Sequence, residues 1–203
     1  MIDRHLLPAQ RALLDPPGRV LARRGVTADQ VTLAGFALGL GAFAALTAGA
    51  FGAALVLILA NRLADGLDGA IAREVGGTDR GAFLDIALDF AFYALVPLGF
   101  ALVDPAANAL AAAVLIASFI GTGSSFLAFA SVAAQRGLRA SDYPAKGIYY
   151  LGGLTEGAET IGLFVAMCLW PAAFPVLAYL FATLCALTTI SRWHQGWVAF
   201  SDR

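Results

Sequence analysis

Charge is scarce in this chain. Asp, Glu, Lys and Arg make up 13% of its 203 residues, while 60% are hydrophobic, against about 45–50% apolar residues in an ordinary soluble domain. Together with a mean hydropathy of +0.77, this excludes a water-soluble globular protein and leaves an integral membrane protein. A positive excess is missing as well: 13 Lys and Arg stand against 14 Asp and Glu. Nucleic acid is thereby excluded as a partner, because binding a polyanion needs a clear surplus of positive charge on one face. Cysteine is limited to Cys168 and Cys185, each inside an apolar stretch and without metal-ligand spacing, so both read as small core hydrophobes. No cleavable signal peptide is evident, since Arg4, Arg11, Pro16, Pro17, Arg23 and Arg24 interrupt the first 30 residues.

Long apolar runs are what the chain does have. A helix needs roughly 20 apolar residues to cross a bilayer, and lipid offers the backbone no hydrogen-bond partners, so spanning segments of this kind are helical. Six windows qualify, near 31–50, 52–73, 81–103, 107–131, 147–169 and 172–192. Thr27-Ala-Asp-Gln30 has the form of a capping box and predicts a helix start just before the first. The cations are one-sided. Arg4, Arg11, Arg19, Arg23 and Arg24 precede span one; Arg73 and Arg80 flank the turn between spans two and three; Arg136, Arg139 and Lys146 lie between four and five; Arg192 and Arg203 close the chain. By the positive-inside rule both termini face the cytoplasm. The expected architecture is an all-α integral membrane protein, a six-transmembrane-helix bundle over residues 27–203 preceded by a juxtamembrane segment, 1–26. That segment mixes leucines with spaced arginines, as either an interfacial helix on the anionic leaflet or a solvated tail would.

Against this background, residues 64–90, ADGLDGAIAREVGGTDRGAFLDIALDF, hold four aspartates at membrane depth. Counted at 1.5 Å per residue, Asp68 and Asp65 lie about 7 and 12 Å along span two from Arg73, and Asp85 and Asp89 about 7 and 13 Å along span three from Arg80. Residues three and four apart share a helix face, so each pair lies on one face, and antiparallel neighbours would point all four carboxylates at one another. One ionised side chain deep in a bilayer costs about 2.5–3.5 kcal/mol on insertion scales, and four together also repel. Arg62 and Arg73 are too few to balance them. Hard divalent cations such as Mg²⁺ or Mn²⁺ suit an all-oxygen ligand set, and a carboxylate-held metal pair is what phosphoryl transfer from a diphosphate requires. The other reading is that the aspartates are neutral or salt-bridged helix glue. Gly69 and Gly81 favour a ligand, since a backbone without Cβ admits close approach, although glycine also serves helix packing.

Asp65-x-x-Asp68-Gly69-x-x-Ala72-Arg73 followed by Gly81-x-x-x-Asp85-x-x-x-Asp89 resembles the signature of the CDP-alcohol phosphatidyltransferases. Seven residues separate Arg73 from Gly81 where that family usually has eight, a difference confined to a turn. The resemblance covers spans one to three best. It implies six transmembrane helices in the cell (inner) membrane, often as a homodimer, with the active site facing the cytoplasm. It further implies two Mg²⁺ or Mn²⁺ ions held by Asp65, Asp68, Asp85 and Asp89, and CDP-diacylglycerol bound by Gly69, Ala72, Arg73 and Gly81. Asp89 would be the general base, and a small alcohol would attack the lipid-linked phosphorus and release CMP. Lys146 stands where the family often has a phosphate-binding lysine.

Other features stay open at this level. Arg73 suits a phosphate but equally suits snorkelling to the interface. Glu156 and Glu159, expected about 15 and 20 Å into span five, are functional or pair with Arg62, Thr155 or Thr160. Arg136, Arg139 and Lys146 would receive a phosphorylated acceptor or merely mark the cytoplasmic side. The glutamates pull towards an amine or a polyol. Gly35-x-x-x-Gly39 and Gly153-x-x-x-Gly157 permit close helix packing, Pro97 is a potential kink, and Trp170, Trp193 and Trp197 fall at expected interfaces. His5 and His194 read as surface residues. Two other functions fit the aspartates: a membrane prenyltransferase acting on a diphosphate donor, and a divalent-cation transporter. The first normally needs more spans and lacks the Gly-x-x-Ala-Arg continuation; the second would use the carboxylates as a conduction site.

Overall fold

The computed structural model describes residues 3–137 and 153–201, and within them the chain is helical. Helix α1 is Asp3–Arg23, α2 Ala28–Thr47, α3 Phe51–Val75, α4 Asp79–Val103, α5 Pro105–Gln135, α6 Gly157–Leu169 and α7 Phe174–Ala199, with a short 3₁₀ turn at Pro171–Ala173. Four segments are long and apolar enough to cross a membrane: α2, α4, α5, and α7 with its preceding turn. Helix α3 has the length, 25 residues, but carries Arg62, Asp65, Asp68, Arg73 and Glu74. Helix α6, at 13 residues, is short.

Local sequence sets the boundaries. Thr27 and Gln30 form the expected reciprocal cap of α2, with the Thr27 N–H donating to Gln30 Oε1 at 3.0 Å and the Gln30 N–H to Thr27 Oγ1 at 3.3 Å. Helix α3 stops at Gly76, whose φ of +92° lies where a side chain is strained. Thr78 then caps α4 by accepting from the Gly81 N–H at 3.0 Å. The fifth segment departs from its expected bounds. Residues 153–156 precede the helix, which begins at Gly157 behind Glu156 as its N-cap. The reason is local: the Glu159 carboxylate accepts the Glu156 N–H at 3.1 Å. Gly153 therefore lies ahead of the helix, yet it still permits close packing on α7, since a Cβ there would stand 2.4 Å from Thr188 Cγ2. Helix α4 continues through Pro97 to Val103.

Helix α2 packs on both α3 and α4, α5 packs on α4 and α7, α6 on α3, and α1 on α3. The apolar core fills one end of the bundle, drawing on Leu46, Ile58, Phe92, Val96, Phe100, Leu115, Phe164 and Phe174, all essentially inaccessible. Phe100 stacks on Phe51 at 5.5 Å and on Phe174 at 4.6 Å between ring centroids. These residues come from the late turns of α2, α4 and α6 and the early turns of α3, α5 and α7. Successive helices run in opposite directions, so the aspartates, late in α3 and early in α4, lie at the other end. Gly35 and Gly39 close the α2 contacts: a Cβ would meet Ala64 Cβ at 2.9 Å from the first and Phe92 Cδ2 at 2.8 Å from the second. The pattern thus serves packing within the chain. Both cysteines are buried and unpaired.

Helix α1 lies against α3, burying Leu14 over the space left by Gly66, and Gly18 over Ala70. Leu13 and Val20 on its other side are exposed. Helix α1 is thus a helix docked on α3.

Candidate active site

The four aspartates border one space. Asp65, Asp68, Asp85 and Asp89 line one small pocket of about 10 Å³ together with Thr32, Asn61 and Arg62. Asp68 is buried and its Oδ2 accepts a 2.6 Å hydrogen bond from Thr32 Oγ1 on α2. Arg62 stands among the acids: its Nη2 donates to Asp89 Oδ1 at 2.6 Å, and its Nη1 lies 3.8 Å from Asp65 Oδ1. The guanidinium also donates through Nε to the Asn61 side-chain oxygen Oδ1 at 2.8 Å and through Nη1 to the Tyr93 hydroxyl at 3.3 Å, over the ring of Phe92 at 4.8 Å. Arg62 therefore pairs with aspartates and not with Glu156 or Glu159.

Among the described residues, no three His, Cys, Asp or Glu side chains are drawn together at metal-ligand spacing. The acids line one pocket from two helices, with Arg62 within 3.8 Å of Asp65 and 2.6 Å of Asp89. Their chemistry fits a hard cation: four carboxylates from two facing helices give an all-oxygen set. Ligation would require the carboxylates to close up from their present arrangement.

Beside this pocket opens a cavity of about 630 Å³ that shares Thr32, Asp68 and Asp85 with it. Gly69, Ala72 and Gly81 line the cavity, as do Asp29, Thr78 and Arg80. The expected ligand-facing residues Asp68, Gly69, Ala72, Gly81 and Asp85 are thus brought to one space. Gly81 also has a packing role, since a Cβ there would lie 3.1 Å from both Asp29 Oδ1 and Thr78 Oγ1. Gly69 likewise leaves room for Arg73, whose Nη1 would be 3.3 Å from a Cβ. Arg73 itself turns to α1, where Nη2 donates to Asp15 Oδ1 at 2.7 Å. Lys146 and Arg139 lie outside the described residues.

Sequence reading missed two ion pairs at this end. Arg73–Asp15 ties α3 to α1, and Arg80 donates through Nε to Asp29 Oδ2 at 2.7 Å, tying α4 to α2. Their separations of 58 and 51 residues explain the omission, because no local spacing rule connects such positions. Arg136 is also reassigned. It donates to the carbonyls of Ala199 and Phe200 at 3.4 and 2.9 Å and so caps the end of α7.

A second cavity, of about 190 Å³, lies on the far side of Tyr93, between α4, α5, α6 and α7. Its lining includes Thr122, Thr155, Glu156, Thr160 and Arg192. Glu156 and Glu159 sit at the first turn of α6, not two or three turns into a longer span.

The sequence profile of the CDP-alcohol phosphatidyltransferases matches residues 25–197. The chain belongs to that family. It is 55% identical over 202 residues to the inner membrane protein YnjF of Escherichia coli K12, covering 100% of this chain and 98% of the relative. An uncharacterized protein of Aquifex aeolicus VF5 is 34% identical over 161 residues, 78% of this chain and 76% of its own length. Among solved structures, the Mycobacterium tuberculosis phosphatidylinositol phosphate synthase PgsA1 with CDP-DAG bound superposes with a TM-score of 0.72 at 26% identity, covering 92% of this chain and 94% of that one. The same synthase with manganese and citrate gives 0.71 at 27% identity, covering 91% and 88%. As a CDP-alcohol phosphatidyltransferase, the chain is a transferase of phospholipid biosynthesis.

Proposed function

We propose that this CDP-alcohol phosphatidyltransferase moves the phosphatidyl group of CDP-diacylglycerol to the hydroxyl of a small polar alcohol. The observation that carries the reading is the junction of the four-aspartate pocket with the 630 Å³ cavity that holds the motif glycines. The neighbour solved with CDP-DAG bound supports the donor, and the one solved with manganese supports a divalent metal.

In this reading Asp65, Asp68, Asp85 and Asp89 would hold two Mg²⁺ or Mn²⁺ ions, which when bound supply positive charge against the diphosphate. The acceptor hydroxyl oxygen attacks the phosphorus that carries diacylglycerol. The new P–O bond forms as the bond to CMP breaks, the hydroxyl proton goes to Asp89, and CMP leaves with the electron pair. Arg62 holds Asp89 Oδ1, leaving Oδ2 for the proton. Gly69, Ala72 and Gly81 border the diphosphate and nucleoside, and Arg73 exchanges Asp15 for a phosphate oxygen. Lys146 is assigned a phosphate of the donor by family resemblance.

The proposed setting is a multi-pass protein of the inner membrane, supported by the apolar helices and the name of the E. coli relative. Helices α3 and α6 complete the six proposed spans: α3 has the length, 25 residues, and α6 is apolar but short, 13 residues. The one-sided cations put both termini and the active site on the cytoplasmic face. A homodimer is the expected assembly.

The test is CMP release from CDP-diacylglycerol by purified protein with Mg²⁺ or Mn²⁺ and a panel of alcohols. Metal-dependent CMP release that requires an alcohol supports the proposal; cation uptake into vesicles with no CMP released from the donor would favour a transporter.

A further inference from the structure

Few groups set the charge of the aspartate pocket. Among the described residues its ionisable lining is Asp65, Asp68, Asp85, Asp89 and a lone cation, Arg62. That cation is seated from below and not merely drawn in from solvent. Its side chain is 15% exposed, and its Nε donates to Asn61 Oδ1 at 2.8 Å. Asn61 is itself tied down, donating through Nδ2 to the Gly35 carbonyl at 2.8 Å in a buried bond between α3 and α2. The rings of Phe92 and Tyr93 lie 4.8 and 5.4 Å from the guanidinium carbon. From this seat Nη2 reaches Asp89 Oδ1 at 2.6 Å, and Nη1 lies 3.8 Å from Asp65 Oδ1.

A fixed cation changes what the cluster can bind. Carboxylates that ligate a metal do so ionised, so four of them against one guanidinium present three negative charges. One divalent ion reduces these to a single negative charge. A second would turn the cluster positive, at a depth where net charge of either sign is costly. A diphosphate supplies the missing negative charge, and the place for it adjoins the acids: Asp68 and Asp85 line both the aspartate pocket and the 630 Å³ cavity. Without Arg62, two divalent ions would balance four carboxylates and need no donor.

We infer, on the basis of the transferase reading, that Arg62 makes metal loading sequential: the chain binds one divalent ion by itself and takes the second only together with the diphosphate donor. Arg62 acts here through the acids it holds and touches neither ion. Linkage makes the effect reciprocal, so donor and second ion tighten each other by one factor, ordinarily about 5–150-fold.

The experiment counts Mn²⁺ ions bound per chain in detergent micelles, from the electron paramagnetic resonance signal of the free ion. It is run with and without CDP-diacylglycerol and with no alcohol present, donor micelles lacking protein serving as the blank. The wild type should bind one ion without donor and two with it. Arg62→Met, which removes the charge, should bind two without donor; Arg62→Lys, which keeps it, should follow the wild type, a distinction that a merely structural role would not produce. Two ions of similar affinity on the wild type without donor overturn the inference, and so does a count that stays at one when donor is added; neither measurement needs a variant to fold. A count of one in donor-free Arg62→Met, with wild-type circular dichroism, takes the ordering away from Arg62. Failure of the transferase reading has a different signature: no CMP released with any alcohol, and no rise in melting temperature on adding CDP-diacylglycerol. The donor-linked half of the inference then falls with it, while a donor-free count rising from one to two in Arg62→Met would uphold the charge role of Arg62.

Discussion

Arg62 of α3 reaches across to α4 and donates to Asp89 at 2.6 Å, so a guanidinium neutralises the residue assigned as general base. With Asp65 3.8 Å from the same group, Arg62 is the internal counter-charge of the cluster. Arg62→Ala leaves the carboxylates without this cation, and because the pair is only partly buried the loss should fall below the about 3–5 kcal/mol typical of breaking a fully buried pair. The expected outcome is a lower melting temperature in metal-free buffer and a larger upward shift on adding Mn²⁺ than the wild type shows. Tryptophan fluorescence melts with and without metal measure both. Equal shifts in the two proteins would mean that Arg62 and the metal do not answer the same charge.

Asp89→Asn keeps the volume and can still accept from Arg62, but it cannot take a proton from an alcohol. Loss of a general base costs about 10²–10⁴ in rate. CMP release should fall by that order while circular dichroism and gel-filtration behaviour stay those of the wild type. Undiminished turnover would take the base role away from Asp89.

Thr32 lies outside the signature, yet its hydroxyl donates to Asp68 at 2.6 Å from a different helix. Such a bond fixes the direction of a carboxylate that is to hold an ion, and removing partners of this kind costs about 10–100-fold in metal affinity or activity. Thr32→Val, nearly isosteric, should raise the Mn²⁺ concentration for half-maximal thermal stabilisation by that order, read without substrate. An unmoved metal midpoint would reduce the bond to a helix contact between α2 and α3.

The acid cluster was legible in the sequence because carboxylates inside apolar runs are costly and four together are hard to explain as helix glue, and 3.6-residue periodicity then fixes their faces. The capping box at Thr27 was legible for the same local reason. What could not be read joins distant positions or competes with hydropathy. The start of α6 was obscured because an apolar run from 147 masks Glu156-Gly-Ala-Glu159, although carboxylates three apart before an apolar stretch are a capping signal. Arg136 reads as a phosphate ligand or a mere marker of the cytoplasmic side until its bonds to the end of α7 are seen. Likewise, Asp15 is one acid in a tail until α1 is folded onto α3.

That pair yields a further prediction. Arg73 and Asp15 are both about two-fifths exposed, and pairs of this kind contribute about 0–1 kcal/mol to stability. If Arg73 serves a phosphate of the donor, Arg73→Ala should raise KM for CDP-diacylglycerol several-fold with little change in melting temperature. Asp15→Asn should leave the melting temperature in place and lower that KM, since the guanidinium no longer has a competing carboxylate. A KM indifferent to both changes would leave Arg73 as an anchor for α1 alone.

Gly39 tests the fold independently of the chemistry. Its missing side chain accommodates the Phe92 ring, with Cδ2 2.8 Å and Cε2 3.4 Å from where a Cβ would stand, and Asn61 Nδ2 also at 3.4 Å. Neither neighbour can yield easily. Phe92 is fully buried against Phe164 in an edge-on contact at 6.2 Å, and Asn61 is tied to the Gly35 carbonyl at 2.8 Å. Overpacking a filled interior by one methyl typically costs about 1–3 kcal/mol. Gly39→Ala should therefore lower the melting temperature measurably. Because Phe92 also lies under Arg62 at 4.8 Å, a displaced ring would move the guanidinium and with it Asp89, so kcat should fall more than KM rises. Gly52, where a Cβ meets nothing within 4 Å, supplies the control: Gly52→Ala should leave both kinetic constants unchanged. If Gly39→Ala behaves like Gly52→Ala, α2 does not press on α4 as closely as these distances require.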